Sequence, residues 1–515
     1  MPKSIEESAI VMLSDRDQVA IAKDDISSGQ ILDHDGVFVE IKEQIKKGHR
    51  FAIKDIPEGE FIRQNGFAFG QSKGIKKGEL ISSSRINDVI PEMSTSNYHP
   101  PSSTQYDKEY LNKTFSGYIR KSGLTGTRNY YLVVPTSMCV SETADQIVRY
   151  LESSKDVESK YPNVDGIVAI SNTEGCGCAA NEQIERFLAV LKGYIRHPNV
   201  GGCLIMDLGC EQTNYEKMFS YLKSTVAEEL KPIDWITVQE SGGTRLAIDK
   251  AVNIISHRLA EVNNVTRKPS PISELVIGTE CGASDSFSGI TANPVIGNAV
   301  DRIILGKGSG ILSEIPEMLG TYEMLLPRFR TSEIAEKFNR LIEWYINIAK
   351  KLDLTLNDNL VPENIEGGLL NNYIKSIGAV MKGGSTVIED VLEYAEPVRE
   401  KGLSIMQGPG GDLESVTGIV ASGATVICFS TGKGTTTGNA ICPVIKISSN
   451  NSTFNKLPED IDFNAGSLLT EQTTINKLGE ELLEIVIDVA SGKETWSERW
   501  KQRQFQVWTA GKLSL

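Results

Sequence analysis

Residues 130–136 read YYLVVPT, 166–171 read GIVAIS, 201–209 read GGCLIMDLG and 235–239 read WITVQ. Each is a short, nearly continuous apolar run, which is the pattern of a strand buried on both faces. Between them lie TADQIVRYLESS (143–154), ANEQIERFLAVLKGYI (180–195) and YEKMFSYLKSTVAEEL (215–230), whose apolar residues recur at helical spacing. Strands that alternate with amphipathic helices predict a parallel sheet covered by helices on both sides.

Outward from this stretch, the alternation resumes after residue 274. ELVIGTE (274–280), GSGILSE (308–314), LSIMQG (403–408) and ATVICFS (424–430) are further buried strands, and residues 332–352 and 479–492 have helical spacing. The stretch VNNVTRKPSPISE (262–274) reads as a linker between the two α/β regions. Residues 87–113, polar and rich in Pro and Ser without periodicity, read as a second linker.

The N-terminal region carries an internal repeat. Ile26-Ser-Ser-Gly29, Ile45-Lys-Lys-Gly48, Ile56-Pro-Glu-Gly59 and Ile75-Lys-Lys-Gly78 share an Ile-x-x-Gly core at spacings of 19, 11 and 19 residues, so a 30-residue unit occurs twice. Short β-type runs such as VFVEI (37–41) and RFAI (50–53) lie between these turns. The expected architecture is multidomain: a small all-β module (1–86), a linker (87–113), and two α/β domains with mainly parallel sheets (114–266 and 267–515).

Composition narrows the partners. With 53 Lys and Arg against 67 Asp and Glu, the chain of 515 residues has a net charge of −14. Such a field repels nucleic-acid phosphates and anionic lipid, so neither is expected as a partner. It also repels a small acid, which would need a local cluster of cations or backbone N–H groups. The acidic residues in the first stretch argue against a signal peptide, and no apolar run has the length of a membrane span. Eight cysteines scattered along a large chain fit reduced thiols in the cytoplasm.

Ligands of open α/β sheets bind beyond the carboxyl ends of the strands. Cys139, Cys176, Cys210 and Cys281 each follow a predicted strand, at separations of 37, 34 and 71 residues. Equivalent positions in successive βα units face one crevice, so these four thiols are expected to converge on a soft metal or an iron–sulfur cluster. Four separately buried cysteines are the plain alternative. Cys178, Cys203, Cys428 and Cys442 fall outside the pattern.

The loop after Cys281 is dense in short polar groups. Ser284, Ser288 and Asn293 suit a polyhydroxylated ligand, although a residue such as Asp285 also caps helices. A third region, Gly408-Pro-Gly-Gly-Asp412 with Ser430-Thr-Gly-Lys-Gly434, fails two nucleotide motifs. A P-loop would need Gly at Ile427 and Ser or Thr at Gly434, and a dinucleotide fingerprint would need a small residue at Leu413. Thr431, Gly432 and Gly434 would instead let backbone N–H groups approach an anion, with Lys433 adding charge. With five histidines in the chain, carboxylates are the expected proton carriers, Asp285 and Glu314 foremost.

Cys281-Gly-Ala-Ser-Asp-Ser-Phe-Ser-Gly-Ile-Thr-Ala-Asn-Pro294 closely resembles the ECGGSD-x-x-SG-[IV]-TANP signature of the altronate/galactarate dehydratases. Gly209-Cys-Glu211, Arg196-His-Pro-Asn199, Ser313-Glu-Ile-Pro-Glu317, Phe429-Ser-Thr-Gly-Lys-Gly434, Asp462-Phe-Asn-Ala-Gly466 and the run from Asp488 to Trp496 are similar to further blocks of that family. The N-terminal module resembles its SAF (β-clip) domain, most clearly at Gly48-His49-Arg-Phe-Ala52. The resemblance covers roughly residues 10–500.

It implies a hydro-lyase that turns an aldonic or aldaric acid into a 2-keto-3-deoxy acid with a divalent metal, commonly iron, as Fe2+ or a cluster, with Mn2+ as the alternative. A related lyase on another α-hydroxy acid, such as a sulfo-acid, or a non-catalytic binder of sugar acids, are the competing expectations. A homo-oligomer is also allowed. Three places depart from the family: Leu13-Ser14-Asp15, Ile81-Ser-Ser-Ser-Arg85 and Asn172-Thr-Glu174 stand where it usually carries histidine. A metal site built on those imidazoles is therefore not expected here.

Overall fold

In the computed structural model, residues 3–11, 14–34, 36–91, 98–153, 159–176, 182–223 and 231–509 are described. Cys178 and Leu13 lie outside them.

The N-terminal module is all-β, and its repeat is visible in the backbone. Ile26 and Ile45 exchange both N–H···O bonds, at 2.8 and 2.9 Å, and Ile56 and Ile75 do the same at the same two distances. Gly29, Gly48, Gly59 and Gly78 all have φ between 81° and 85°. A side chain is strained in that left-handed region, which accounts for glycine at each turn. The four isoleucines are buried.

The central domain holds four parallel strands, β1 (Tyr130–Pro135), β2 (Gly166–Ala169), β3 (Val200–Asp207) and β4 (Ile233–Thr237), in the order β2-β1-β3-β4. Along β1, Leu132 and Val134 enter one apolar cluster and Tyr131 and Val133 enter another on the opposite face. That two-sided burial is why the run has no polar alternation; each such side chain contributes roughly 1.5–3 kcal/mol. Helices α1 (Met138–Ser153), α2 (Glu182–Arg196) and α3 (Tyr215–Lys223) follow the first three strands. The expected third helix ran on to 230, and residues 224–230 lie outside the described residues.

The stretch first read as a linker at 262–274 is structured. It carries a strand, Lys268–Pro271, which pairs antiparallel with Thr114–Ile119 and ties the two ends of the central domain together. Its prolines sit where a short edge pairing tolerates a missing N–H.

The C-terminal domain is built on seven parallel strands: β5 (Val276–Gly282), β6 (Ser309–Leu312), β7 (Ile388–Leu392), β8 (Gly402–Met406), β9 (Val426–Thr431), β10 (Val444–Ser448) and β11 (Phe463–Asn464). Their order is β7-β8-β6-β5-β9-β10-β11. The chain leaves β5 in one direction and returns to its other side at β9. The carboxyl ends of β5, β6 and β9 therefore meet at the middle of the sheet, where ligands bind in such folds. Among the described residues, no helix is long and apolar enough to cross a membrane.

Candidate active site

At that point the protein buries a dense group of charges. β5 ends in Glu280 and Cys281, and Glu314 follows β6. Glu317 stands on the 3-10 helix Ile315–Met318, where residues three apart lie one above the other, so it stacks near Glu314. The helix Asn372–Ala379 contributes Lys375, and the 3-10 turn after it contributes Lys382. Glu280, Glu314 and Lys382 are each 0% exposed.

Contacts bind these groups into one network. The Cys281 sulfur lies 3.3 Å from Glu317 Oε2 and 3.6 Å from Glu314 Oε2. Lys382 Nζ donates to that sulfur at 2.8 Å and to Glu314 Oε2. Lys375 pairs with Glu317 at 2.8 Å. Glu314 holds φ 71° and ψ 60°, a left-handed conformation costly for a non-glycine residue, and strain of that kind collects at functional sites. Gly408, after β8, presses against this turn: a Cβ there would stand 1.9 Å from Ser313 Oγ.

The electrostatics follow from burial and crowding. Burial and the Glu314 charge push Glu280 far above the usual carboxylate range. Burial, with the neighbouring Glu317 charge, lifts Glu314 to about 7. Asp412 rises to about 6 for the same two reasons. Burial opposes charge on Lys382, but Cys281, Glu314, Glu280 and Glu317 overcome it and keep the ammonium charged. Glu317 feels the same burial, but Lys375 and Lys382 hold it ionised. Glu280 Oε1 and Glu314 Oε1 are both buried without a hydrogen-bond partner.

The acids outnumber the lysines, and protons make up the difference. Cys281, Glu314 and Glu317 offer ligand atoms that all lie within 4.8 Å of one another, a geometry found nowhere else among the described residues for three such groups. A thiol with two carboxylates, crowded enough to raise carboxyl pKa values, fits a divalent cation.

A cavity opens beside this cluster, lined by Cys281, Ser284, Asp285, Ser288, Asn293 and Glu317 among others. Three of the expected ligand-binding residues, Ser284, Ser288 and Asn293, thus face it. Thr431 and Gly432 are buried one layer behind: Gly434 N donates to Thr431 Oγ1, and a Cβ on Gly432 would stand 2.7 Å from Asp285 Cγ. Gly434 is half-buried beyond them.

Two of the expected catalytic residues are placed otherwise. Asp285 is expected as a base, but five hydrogen bonds converge on its carboxylate, from Phe287 N, Ser288 N, Ser288 Oγ, Ser449 Oγ and Asn450 Nδ2. With its lone pairs committed, it holds two loops together. Lys433 is expected to clamp an anion, yet it is exposed to solvent. The positive charge at the cavity comes from buried residues, Lys375 and Arg50.

The four thiols do not share one crevice. Cys139 opens α1 and is close enough to Cys176 to share a hydrogen bond; that neighbour, Glu211 and Cys210 add to desolvation in pushing the Cys139 thiol up. Glu211 ties these strand ends together by accepting from Thr136 Oγ1, Ser137 Oγ, Leu208 N and Gly209 N. Cys139 and Cys210 are exposed and Cys176 is half-buried. Cys281 is buried in the other sheet, and its charged neighbours are Glu314, Glu317 and Lys382. The expectation of one shared crevice fails because Cys139, Cys176 and Cys210 follow strands of the four-stranded sheet, whereas Cys281 lies in the seven-stranded one. Cys203, Cys428 and Cys442 are buried.

Glu280, Glu317, Lys375, Lys382 and Arg50 were not singled out from sequence. Lys375 and Lys382 stand seven apart in the apolar run YIKSIGAVMKGG, and charges in such a run are the signal that was available.

Three family models match successive parts of the chain. They are the altronate/galactarate dehydratase SAF domain over residues 8–88, the D-galactarate dehydratase/altronate hydrolase second domain over 117–263, and the D-galactarate/altronate dehydratase C-terminal domain over 272–513. Altronate dehydratase of Bacillus subtilis (strain 168) is 32% identical over 506 residues, 98% of this chain and 99% of the relative. Galactarate dehydratase (L-threo-forming) of Escherichia coli (strain K12) is 32% identical over 500 residues, covering 95% and 94%. The beta subunit of (2R)-sulfolactate sulfo-lyase from Chromohalobacter salexigens is 27% identical over 401 residues, 77% of this chain and 97% of that subunit.

Proposed function

The chain belongs to the altronate/galactarate dehydratase family, and from that premise we propose that it removes water from an aldonic or aldaric acid to give a 2-keto-3-deoxy acid. The observation that carries this reading is the buried network of Cys281, Glu314, Glu317 and Lys382 beside a cavity rich in hydroxyl and amide groups. The reaction takes the proton next to a carboxylate and expels the β-hydroxyl, so it needs a group that exchanges protons near neutral pH and fixed positive charge for the enediolate.

Glu314, lifted to about 7, is the proton carrier. Cys281 and Lys382 connect it to the cavity wall, and Lys382 holds positive charge where negative charge develops. Cys281 and Glu317 would hold the divalent metal, with Glu314 joining them only when it has given up its proton, and the metal would supply Lewis-acid stabilisation of the substrate carboxylate. A cysteine sulfur beside two carboxylates favours Fe2+, with Mn2+ next. An iron–sulfur cluster, which takes cysteine ligands, would have to sit instead on the group of Cys139, Cys176 and Cys210.

A sulfo-lyase reading is supported by the sulfolactate relative, which matches less of this chain than the dehydratases do. An anaerobic assay with Fe2+ and a panel of altronate, galactarate and sulfolactate separates the two. The dehydratase reading expects a 2-keto-3-deoxy product from a sugar acid; sulfite release from sulfolactate alone would replace it.

A further inference from the structure

Arg50 belongs to the N-terminal module but lies at the cavity of the C-terminal domain. It opens the strand Arg50–Ala52 opposite Ile21 and is 3% exposed. Its Nε donates to Gln64 Oε1 at 2.6 Å, and Nη1 donates to Gly368 O at 2.7 Å and to Ser286 Oγ at 3.1 Å. All three acceptors are neutral. Among the described residues, no carboxylate lies within ion-pair distance of this guanidinium. Lys375 and Lys382, by contrast, each have a glutamate partner.

A buried cation without an anion is costly, and burial draws Arg50 down to about 9. The module is nevertheless held firmly over it. A Cβ on Gly368 would stand 2.3 Å from Gly48 O, and Asn371 Nδ2 donates to Phe69 O at 2.8 Å. Val19, Ala52 and Phe69 of the module share one apolar cluster with Leu369, Ile374 and Ile377.

We propose that Arg50 binds the carboxylate of the acid substrate, so that the active site is assembled from two domains and is incomplete without the N-terminal module. The inference rests on the sugar-acid reading above. A chain of net charge −14 repels an acid unless a local cation receives it, and Arg50 is a buried cation at the cavity with no anion of its own. Its Nε and Nη1 donors are committed to Gln64, Gly368 and Ser286, and Nη2 is left to donate to a carboxylate oxygen. The cavity measures about 10 Å³, room for about one water. A sugar acid therefore requires this cavity to widen as it binds.

The test compares wild type, Arg50→Gln and Arg50→Lys with altronate and galactarate as substrates and galactitol, which has the hydroxyls without the carboxylates, as competitor. Arg50→Gln should raise KM about 100-fold with a smaller change in kcat, and Arg50→Lys about tenfold. Galactitol should compete weakly and equally with all three. An unchanged KM in Arg50→Gln, with wild-type turnover intact, would overturn the inference and leave the dehydratase reading standing. If Arg50→Gln does not fold, Arg50→Lys decides in the same way. Failure of the wild type to bind or turn over either acid would overturn the reading, and the inference with it.

Discussion

The carboxyl end of the seven-stranded sheet and that of the four-stranded sheet occupy the same topological position and have opposite character. The first buries Glu280, Glu314, Glu317 and Lys382 in a closed network. The second presents Cys139 and Cys210 to solvent around Glu211. Burial makes the difference. In the closed network each charge perturbs the next, which lifts Glu314 to about 7; in the open one, N–H donors hold Glu211 below its usual range despite its own burial.

The largest contrast should come from breaking a charge pair. Glu317→Gln leaves Lys375 short of its partner and takes from Cys281 the nearer of its two carboxylate neighbours. Removing one member of a buried pair costs about 3–5 kcal/mol, and denaturant unfolding should show a loss of that order. The matching cut in the open region, Cys210→Ser, should shift stability by less than about 0.5 kcal/mol. Equal losses would erase the comparison.

His197 tests the contact between the two domains. Its Nε2 bonds Ala424 O at 3.0 Å and its Nδ1 accepts from Asn199 N, so the buried ring is neutral. Burial holds it down at about 3. The folded value lies below the unfolded 6.5, so this stability is present above pH 6.5 and is lost as pH falls from there towards 3. By pH 5 the loss is about 2 kcal/mol. His197→Gln should flatten the acid limb of stability against pH, and an unchanged limb would count against it.

Metal affinity should sharpen the contrast next. Glu314 and Cys281 must both lose a proton to ligate, and both are pushed up, so affinity for Fe2+ or Mn2+ should fall at least about tenfold for each pH unit below about 7. Calorimetry in two buffers of different ionisation heat should detect the released protons, and Glu314→Gln should lower their number. Affinity that ignores pH between 5 and 7 would place the metal elsewhere. The smallest effect is one of access: iodoacetamide on the native protein should label Cys139 and Cys210, and should reach Cys281, Cys203, Cys428 and Cys442 only after unfolding, as read by peptide mass spectrometry.

Much of the fold was legible because it rests on local patterns. The apolar runs at 130–136 and 274–280 announce strands buried on both faces, and the Ile-x-x-Gly repeat announces paired turns. The site was less legible. Strand-end cysteines tell where side chains emerge, not which sheets face each other, so Cys281 was grouped with three thiols it does not meet. Ser284, Ser288 and Asn293 of the polar loop after Cys281 line the cavity, yet Asp285, expected as a base, spends its acceptors on its own loop and on Ser449 and Asn450. Lys382 is separated from Glu314 by 68 positions. Its role comes from the packing of its turn against the sheet, which no local pattern records.

The claim that turnover depends on the buried network is tested most directly by the kcat of Glu314→Gln, measured anaerobically beside wild type on whichever sugar acid the wild type dehydrates. A fall of about 1,000-fold with an unchanged circular dichroism spectrum is expected for loss of the proton carrier. A folded Glu314→Gln protein with wild-type kcat would contradict it.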